Sequence, residues 1–338
     1  MLEQNYRSTK TILHAANEVI SNNTSRYPKA LRTDNAQGER IVVYRAYNEQ
    51  EEARFVVQTI QSLMKKEHYK MGDFAILYRT NAQSRAMEEV LVKANLAYQI
   101  VGGTRFYERK EIKDLLAYLR LIANPADDLS LARIINEPKR AIGATTFEKI
   151  ATYAYEREQP IFDALGQSLF MGLSARAATA VEQFYQLMTE LMALQHTMPL
   201  TAFVKEVIKR TGYKEMLERE KTIEAQSRLE NIEEFLTVTQ AFEQRGEEQT
   251  LIAFLTDLAL IADIDKLEEE DSQGEIILMT MHAAKGLEFP VVFIIGLEEN
   301  IFPHARTLSD DEELEEERRL AYGMKRLLEI AKGEGLTG

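Results

Sequence analysis

The apolar pattern of this chain changes its period twice, and this change limits the folds open to it. In the first hundred residues, helical repeats with apolar residues three and four apart alternate with short apolar strands. From about Lys110 to Ile264 the strand pattern is absent and helical repeats follow one another. Helices that alternate with apolar strands are typical of an α/β layer with a mainly parallel sheet. We therefore predict one α/β domain interrupted by an all-helical insertion.

Five short apolar runs carry the strand pattern. They are residues 41–44, 74–78, 98–101, 276–280 and 291–295. Ser8 or Thr9 is predicted to cap the first helix, whose apolar face begins at Ile12.

Composition excludes several kinds of function. There are no cysteines, so disulfides, thiolate catalysis and Cys-ligated zinc are excluded. The amino terminus lacks the apolar core of a secretory signal, and the longest apolar runs are strand-sized. We therefore expect a soluble, cytoplasmic protein with no membrane contact. The net charge of −13 opposes broad coating by nucleic acid, so DNA contact requires a local basic seam. The acidic runs 268–271 and 310–317 are interpreted as solvated faces.

The sequence also lacks the motifs of a stand-alone nucleotide hydrolase. The phosphate loop G-x-x-x-x-G-K-[ST] is absent, and no Asp-Glu pair closes an apolar strand. The five histidines have no zinc spacing, so no metal site is predicted.

Two polar clusters are placed where open α/β sheets bind ligands, at strand and helix ends. Residues 4–9 read Q-N-Y-R-S-T, in which a ring beside an arginine can stack on a base and reach a phosphate. A capped helix with an exposed arginine is the alternative. Residues 280–289 read T-M-H-A-A-K-G-L-E-F and gather four kinds of polar group between two apolar strands. So many polar groups are unusual in a loop that only connects two strands, which favours a functional role.

These clusters resemble motifs of a known family. Residues 2–9 resemble motif IV, and residues 280–289 motif V, of superfamily 1 DNA helicases of the UvrD, Rep and PcrA type. Residues 302–304 resemble the element after motif V, and residues 315–322 the entry to motif VI. Residues 78–85, 102–107 and 224–231 also resemble the family, in the same order. The likeness continues to Tyr322 and is greatest to the PcrA branch.

The resemblance implies a fold and an activity. Residues 1–103 and 274–338 would form the second RecA-like motor domain of the P-loop NTPase type, termed 2A, and residues 104–273 its helical 2B insertion. The whole protein would be an ATP-dependent 3′–5′ DNA helicase or translocase of repair or replication. The phosphate loop, the Mg²⁺-binding carboxylates and the catalytic base would belong to a missing amino-terminal motor half, so this chain alone should be inactive. Implied partners are that half, single-stranded DNA, the junction with duplex, and repair or replication proteins.

The same resemblance implies roles for individual residues. Tyr6 would stack on the adenine of ATP, and Arg7 would reach its γ-phosphate as a catalytic group. Lys285 would approach the phosphates and Glu288 the ribose. The residues implied for single-stranded DNA are Arg79, Asn81, Thr280, His282 and His304. Residues 138–146 resemble a duplex-contacting Gly-Ile-Gly loop whose first glycine is here Ala141; its implied contacts are Lys139, Arg140, Gly143 and Thr145.

Motif VI departs from the family after Tyr322. Residues 323–327 read G-M-K-R-L, one residue short and with lysine in place of threonine. In a helix, the deletion of one residue turns all later side chains by about 100° around the axis. The direction of Arg326, the second arginine implied to reach the phosphate, is therefore left open. Residues 327–331 read as helix instead of the expected strand. The alternatives are a Rep-type or nuclease-linked relative, and a non-catalytic DNA- or protein-binding module.

Overall fold

The computed structural model describes residues 4–6, 8–24, 31–246, 249–266, 274–284 and 287–324. Arg7, Lys285 and Arg326 lie outside the described residues, as does the helix predicted at 327–331. The chain forms two compact units: Met1–Arg105 with Ile264–Gly338, and Phe106–Asp263.

A four-stranded sheet with only parallel pairs is the centre of the first unit. Its strands are β1 (Phe74–Tyr78), β2 (Tyr98–Val101), β3 (Ile276–Thr280) and β4 (Val291–Ile294), in the order β2-β3-β1-β4. The pairs nearest the strand ends are Tyr78 with Thr280, Leu77 with Ile294, and Val101 with Met279. Because parallel strands run the same way, all four carboxyl ends meet at one edge.

The first unit has four described α-helices. They are α1 (Lys10–Ser21), α2 (Glu49–Glu67), α3 (Ser84–Lys93) and α13 (Asp311–Gly323). Of these, α2, α3 and the end of α13 pack on the sheet, and α1 packs on α13. Strand β1 is buried on both faces. Phe74 and Ile76 pack with α2 and α3, whereas Ala75 and Leu77 pack with Met279 and the end of α13. A strand covered on both sides requires a continuous apolar run, as its sequence has.

All regular secondary structure in the described residues of the second unit is helical. Its helices are α4 (Lys110–Ala123), α5 (Asp128–Ile134), α6 (Ala144–Glu156), α7 (Ile161–Leu165), α8 (Ala175–Leu194), α9 (Leu200–Arg210), α10 (Tyr213–Glu220), α11 (Ile223–Gln244) and α12 (Leu251–Lys266). They enclose one apolar core around Phe184, Phe235 and Phe254. Within the described ranges, no helix of either unit has the length and apolar character needed to cross a membrane.

The predicted α/β class is confirmed, but two local predictions are wrong. Residues 41–44 form no strand, and Val42 and Val43 are 79% and 88% exposed. Their backbone pairs with no described strand, and β-branched residues favour a strand only where a neighbour supplies packing and hydrogen bonds. At the start of α1, Thr9 occupies the cap position without a side-chain cap bond. The N–H groups of Lys10 and Thr11 donate instead to the carbonyls of Ala36 and Gln37.

Candidate functional site

Polar side chains form a row along the carboxyl edge of the sheet. Arg79 directly follows β1, His282 lies in the turn after β3, and His304 lies in the loop after β4. Asn81 borders the segment after β2, since a Cβ placed on Gly103 would lie 3.8 Å from its Oδ1. Neighbouring strands are spaced about 4.8 Å apart, so this edge extends about 14 Å across the four strands. The fold thus brings together polar groups from three separate segments of the sequence, those after β1, β3 and β4.

The guanidinium of Arg79 is held by Glu317 on α13. Its Nε lies 2.9 and 3.0 Å from the two carboxylate oxygens, and its Nη2 lies 2.7 Å from Oε1. The side chains are 19% and 7% exposed, respectively. Water therefore competes little for this pair, and the guanidinium is fixed at the edge of the sheet.

His304 is attached to the same carboxylate through its backbone. Its N–H donates to Oε2 of Glu317 at 3.1 Å. Its Nδ1 accepts from the N–H of Arg306 at 3.4 Å, and its carbonyl accepts from the hydroxyl of Thr307 at 2.7 Å. One acidic side chain thus fixes the loops after β1 and β4.

The turn after β3 directs His282 outward. The carbonyl of Thr280 accepts from the N–H groups of Ala283 and Ala284 at 3.0 and 3.2 Å. Met281 and Ala284 are buried, so His282 between them faces the surface. Desolvation, followed by the positive charge of Arg79, lowers the pKa of this imidazole, while Glu317 opposes the shift. His282 is therefore mainly neutral at pH 7 and can serve as a hydrogen-bond partner.

Gln83 and Gly296 fix the start of the loop after β1. The Oε1 of Gln83 accepts from the N–H groups of Arg79 and Thr80 at 2.8 and 2.9 Å. Gly296 has a φ of +69°, and a Cβ there would lie 2.0 Å from Nε2 of Gln83. Its N–H donates to Oε1 of Glu52 at 3.0 Å. Only glycine allows both this conformation and the close approach of Gln83.

The amino-terminal cluster displays Tyr6 on a fixed backbone. The side chain of Asn35 donates to the carbonyls of Tyr6 and Ser8, both at 3.1 Å. The N–H of Asn5 donates to the carbonyl of Arg32 at 2.8 Å. The ring of Tyr6 is 81% exposed, although its main chain is held. It can offer a face to a planar ligand.

Glu288 is exposed in the loop before β4. Across the part of the chain that the structure describes, no group of three or more His, Asp or Glu side chains could hold a metal ion.

In the helical unit, the segment between α5 and α6 has an inner and an outer side. Ile142 is buried, whereas Lys139 and Gly143 are exposed. The guanidinium of Arg140 points inward and donates to the carbonyls of Ile134, Pro138 and Thr211 and to the hydroxyl of Tyr118, at 2.7–3.2 Å. The hydrogen bonds of Arg140 thus stabilise the loop from its buried side, whereas the side chain of Lys139 is exposed to solvent.

The amino terminus of α6 begins at this loop. Gly143 occupies its cap position, and the first turn contains no acidic residue. A Cβ on Gly143 would meet no atom within 4 Å, and Thr145 is exposed. Backbone N–H groups at an open helix start favour an anion such as phosphate.

Ala141 has a left-handed backbone, with a φ of +61°. This conformation costs an alanine about 1–2 kcal/mol, and glycine avoids that cost. Ala141 is exposed, so its methyl group contributes little packing. We expect Ala141→Gly to stabilise the helical unit by about 0.5–1 kcal/mol, after allowing for the greater freedom of glycine in the unfolded chain. Chemical denaturation measures this gain, and a loss of stability would contradict the strain.

The acidic run 310–317 contains two buried carboxylates that the sequence interpretation missed. Glu315 and Glu317 are each only 6% exposed, so the expected solvated face is wrong for these two. Glu317 lies three residues from both Leu314 and Leu320, on the apolar side of α13. That spacing was the available signal, and the overall charge of the run obscured it.

Comparison with known proteins identifies the family. The family described as "UvrD-like helicase C-terminal domain" matches residues 1–326. The chain belongs to this UvrD-like helicase family. It is 59% identical over 326 residues to the ATP-dependent DNA helicase PcrA of Bacillus subtilis. It is 54% and 52% identical over 325 residues to the proteins of the same name from Staphylococcus aureus and Staphylococcus epidermidis.

Each match covers 95% of this chain and 44% of the relative, so the chain spans less than half the length of these helicases. The predicted family is confirmed. The α/β unit with its parallel sheet is consistent with the second RecA-like motor domain of UvrD-like helicases.

Proposed function

We propose that this chain is the carboxyl-terminal half of an ATP-dependent 3′–5′ DNA helicase and that the carboxyl edge of its sheet grips single-stranded DNA. One observation carries the proposal: Thr280 ends strand β3, and Arg79, Asn81, His282 and His304 follow strands that end at the same edge. The edge supplies one guanidinium and several neutral hydrogen-bonding groups. Such a mixture suits one strand bound at its phosphates and bases.

The acidic balance of the chain is compatible with this role. A guanidinium has five N–H hydrogens, and Glu317 takes those at Nε and on one side of Nη2. Within the described residues no other group takes the Nη1 hydrogens. Arg79 can therefore offer its Nη1 edge to a phosphate, and His282 can donate without adding charge.

The nucleotide would contact the amino-terminal polar cluster, residues 4–9, and the loop between β3 and β4. The exposed ring of Tyr6 supports stacking on adenine. We assign Arg7 and Lys285 to the phosphates and Glu288 to the ribose on the family likeness, and Arg326 remains a proposal of the same kind. Mg²⁺, the phosphate loop and the catalytic base are assigned to the amino-terminal motor half. Closure of the two motor domains around ATP would then alternate the grip on the strand.

The helical unit would contact the duplex ahead of the motor. Lys139, Gly143 and Thr145 line the outer side of the loop and the start of α6. A backbone phosphate placed there would meet helix N–H groups, a hydroxyl and an ammonium. Arg140 is assigned to support this loop from within.

The proposed DNA grip is tested by replacing Arg79. We expect Arg79→Ala to weaken binding of a labelled oligothymidine by about tenfold, because one phosphate contact is lost. The slope of the logarithm of the binding constant against the logarithm of salt concentration should also become shallower by about one. Fluorescence anisotropy at several salt concentrations gives both quantities. Arg54→Ala removes an exposed arginine on α2 and should change neither. Unchanged binding by the Arg79 variant would refute the assignment of this edge.

A further inference from the structure

We infer that Glu317 is a positioning residue that sets Arg79 and the His304 loop for one DNA strand. This inference rests on the proposed function of the carboxyl edge. The Glu317 carboxylate accepts from Nε and Nη2 of Arg79 and from the N–H of His304. Residues separated by 238 positions along the chain are thereby held in one arrangement.

A carboxylate at an anion-binding edge requires an explanation. Its negative charge repels the phosphates that the edge would bind, and its burial adds a desolvation cost. Orientation can offset both. A guanidinium held along its Nε–Nη2 side presents the opposite side in one direction, so less side-chain freedom is lost when a phosphate binds.

Anchoring of α13 is provided by other groups. The Oε1 of Glu315 accepts from the N–H and the hydroxyl of Thr24 at 2.6 and 2.8 Å. Its backbone carbonyl accepts from the side chain of Asn23 at 3.0 Å. The carboxylate of Asp310 accepts from the N–H groups of Glu312 and Glu313 and caps the helix. The α13 helix therefore has attachments to the rest of the unit that do not involve Glu317, whose carboxylate is directed to the carboxyl edge of the sheet.

Two roles for Glu317 predict opposite results. If the carboxylate only contributes charge, Glu317→Gln removes a repulsive group, and single-stranded DNA should bind more tightly. If it positions Arg79, the same variant should bind roughly five- to tenfold more weakly, the scale of a charge-assisted hydrogen bond. The amide is close to the carboxylate in size, so the packing around α13 is retained.

The experiment is a double-mutant cycle on the intact chain. Glu317→Gln, Arg79→Ala and the double variant are compared for oligothymidine binding by anisotropy, with thermal unfolding followed by circular dichroism. Positioning through Arg79 predicts that most of the loss caused by Glu317→Gln disappears in the Arg79→Ala background, and the remainder is the share of the His304 loop. A general structural defect would weaken binding in both backgrounds. The Arg79 Nε–H should be protected from exchange with water in the original chain and should exchange in the Glu317→Gln variant, which NMR can follow.

Two further variants complete the test. Glu313→Gln removes an exposed carboxylate one turn earlier on α13 and should leave binding nearly unchanged. Arg79→Lys keeps the charge but cannot form the two-nitrogen pair with the carboxylate. Its loss of DNA binding should therefore equal that of Glu317→Gln, which keeps the inference testable if Glu317→Gln unfolds more readily. Tighter or equal binding by Glu317→Gln, with Arg79→Ala still weakened, overturns the inference alone. Full binding by Arg79→Ala overturns the proposed function and this inference together.

Discussion

Arg7→Ala is expected to reduce DNA-stimulated ATP hydrolysis by about a thousandfold or more when this chain is joined to an amino-terminal motor half. An arginine delivered to the γ-phosphate from a second domain stabilises the charge of the transition state, and such groups contribute about 10³–10⁵ in rate. Arg7 adjoins Tyr6, whose ring is 81% exposed on a backbone fixed by Asn35. Steady-state hydrolysis with saturating single-stranded DNA measures the effect.

The matched control is Lys10→Ala, which removes an exposed cation at the start of α1. It should retain hydrolysis close to that of the original protein, since a nearby charge alone does not reach the phosphate. Arg7→Lys should recover only part of the rate, because an ammonium lacks the planar fork. This chain by itself should show no hydrolysis above background. A hydrolysis rate that survives Arg7→Ala would contradict the role given to Arg7.

The sheet could be predicted because its strands are buried on both faces. Residues 74–78 and 276–280 are unbroken apolar runs, and each became a strand with the predicted bounds. Residues 41–44 have an equally strong β-branched sequence but pair with no described strand. Strand formation depends on a partner elsewhere in the chain, and local propensity does not contain that information.

The sequence indicated which residues form the candidate site better than it indicated the hydrogen bonds between them. Family likeness indicated Arg79, His282 and His304, and the parallel sheet places all three at one edge. Glu317 escaped notice because its partner lies 238 residues away and its neighbours in sequence are acidic. A pairing at that separation becomes visible only when the register of β1 against the later strands is known.

Arg140 gives the second large effect, and here the expected change is in stability. Its guanidinium donates to the carbonyl of the last residue of α5, to the carbonyl that follows α9 and to the hydroxyl of Tyr118 on α4. Its central carbon lies 5.3 Å from the ring centroid of Phe184 on α8. Burial raises the pKa of Tyr118 to about 12, so this hydroxyl stays neutral and donates to the carbonyl of Glu137 at 2.6 Å. One side chain therefore ties four helices of the unit together.

We expect Arg140→Ala to destabilise the helical unit by about 3 kcal/mol, because several partly buried acceptors lose a charged donor together. The unfolding midpoint should fall by roughly 10 °C. Lys139→Ala removes the adjacent exposed cation and should leave the midpoint unchanged. It should weaken binding to a duplex junction by about the contribution of one phosphate contact. An Arg140→Ala chain that unfolds at the original temperature but loses duplex binding would place this guanidinium on the DNA instead of inside the loop.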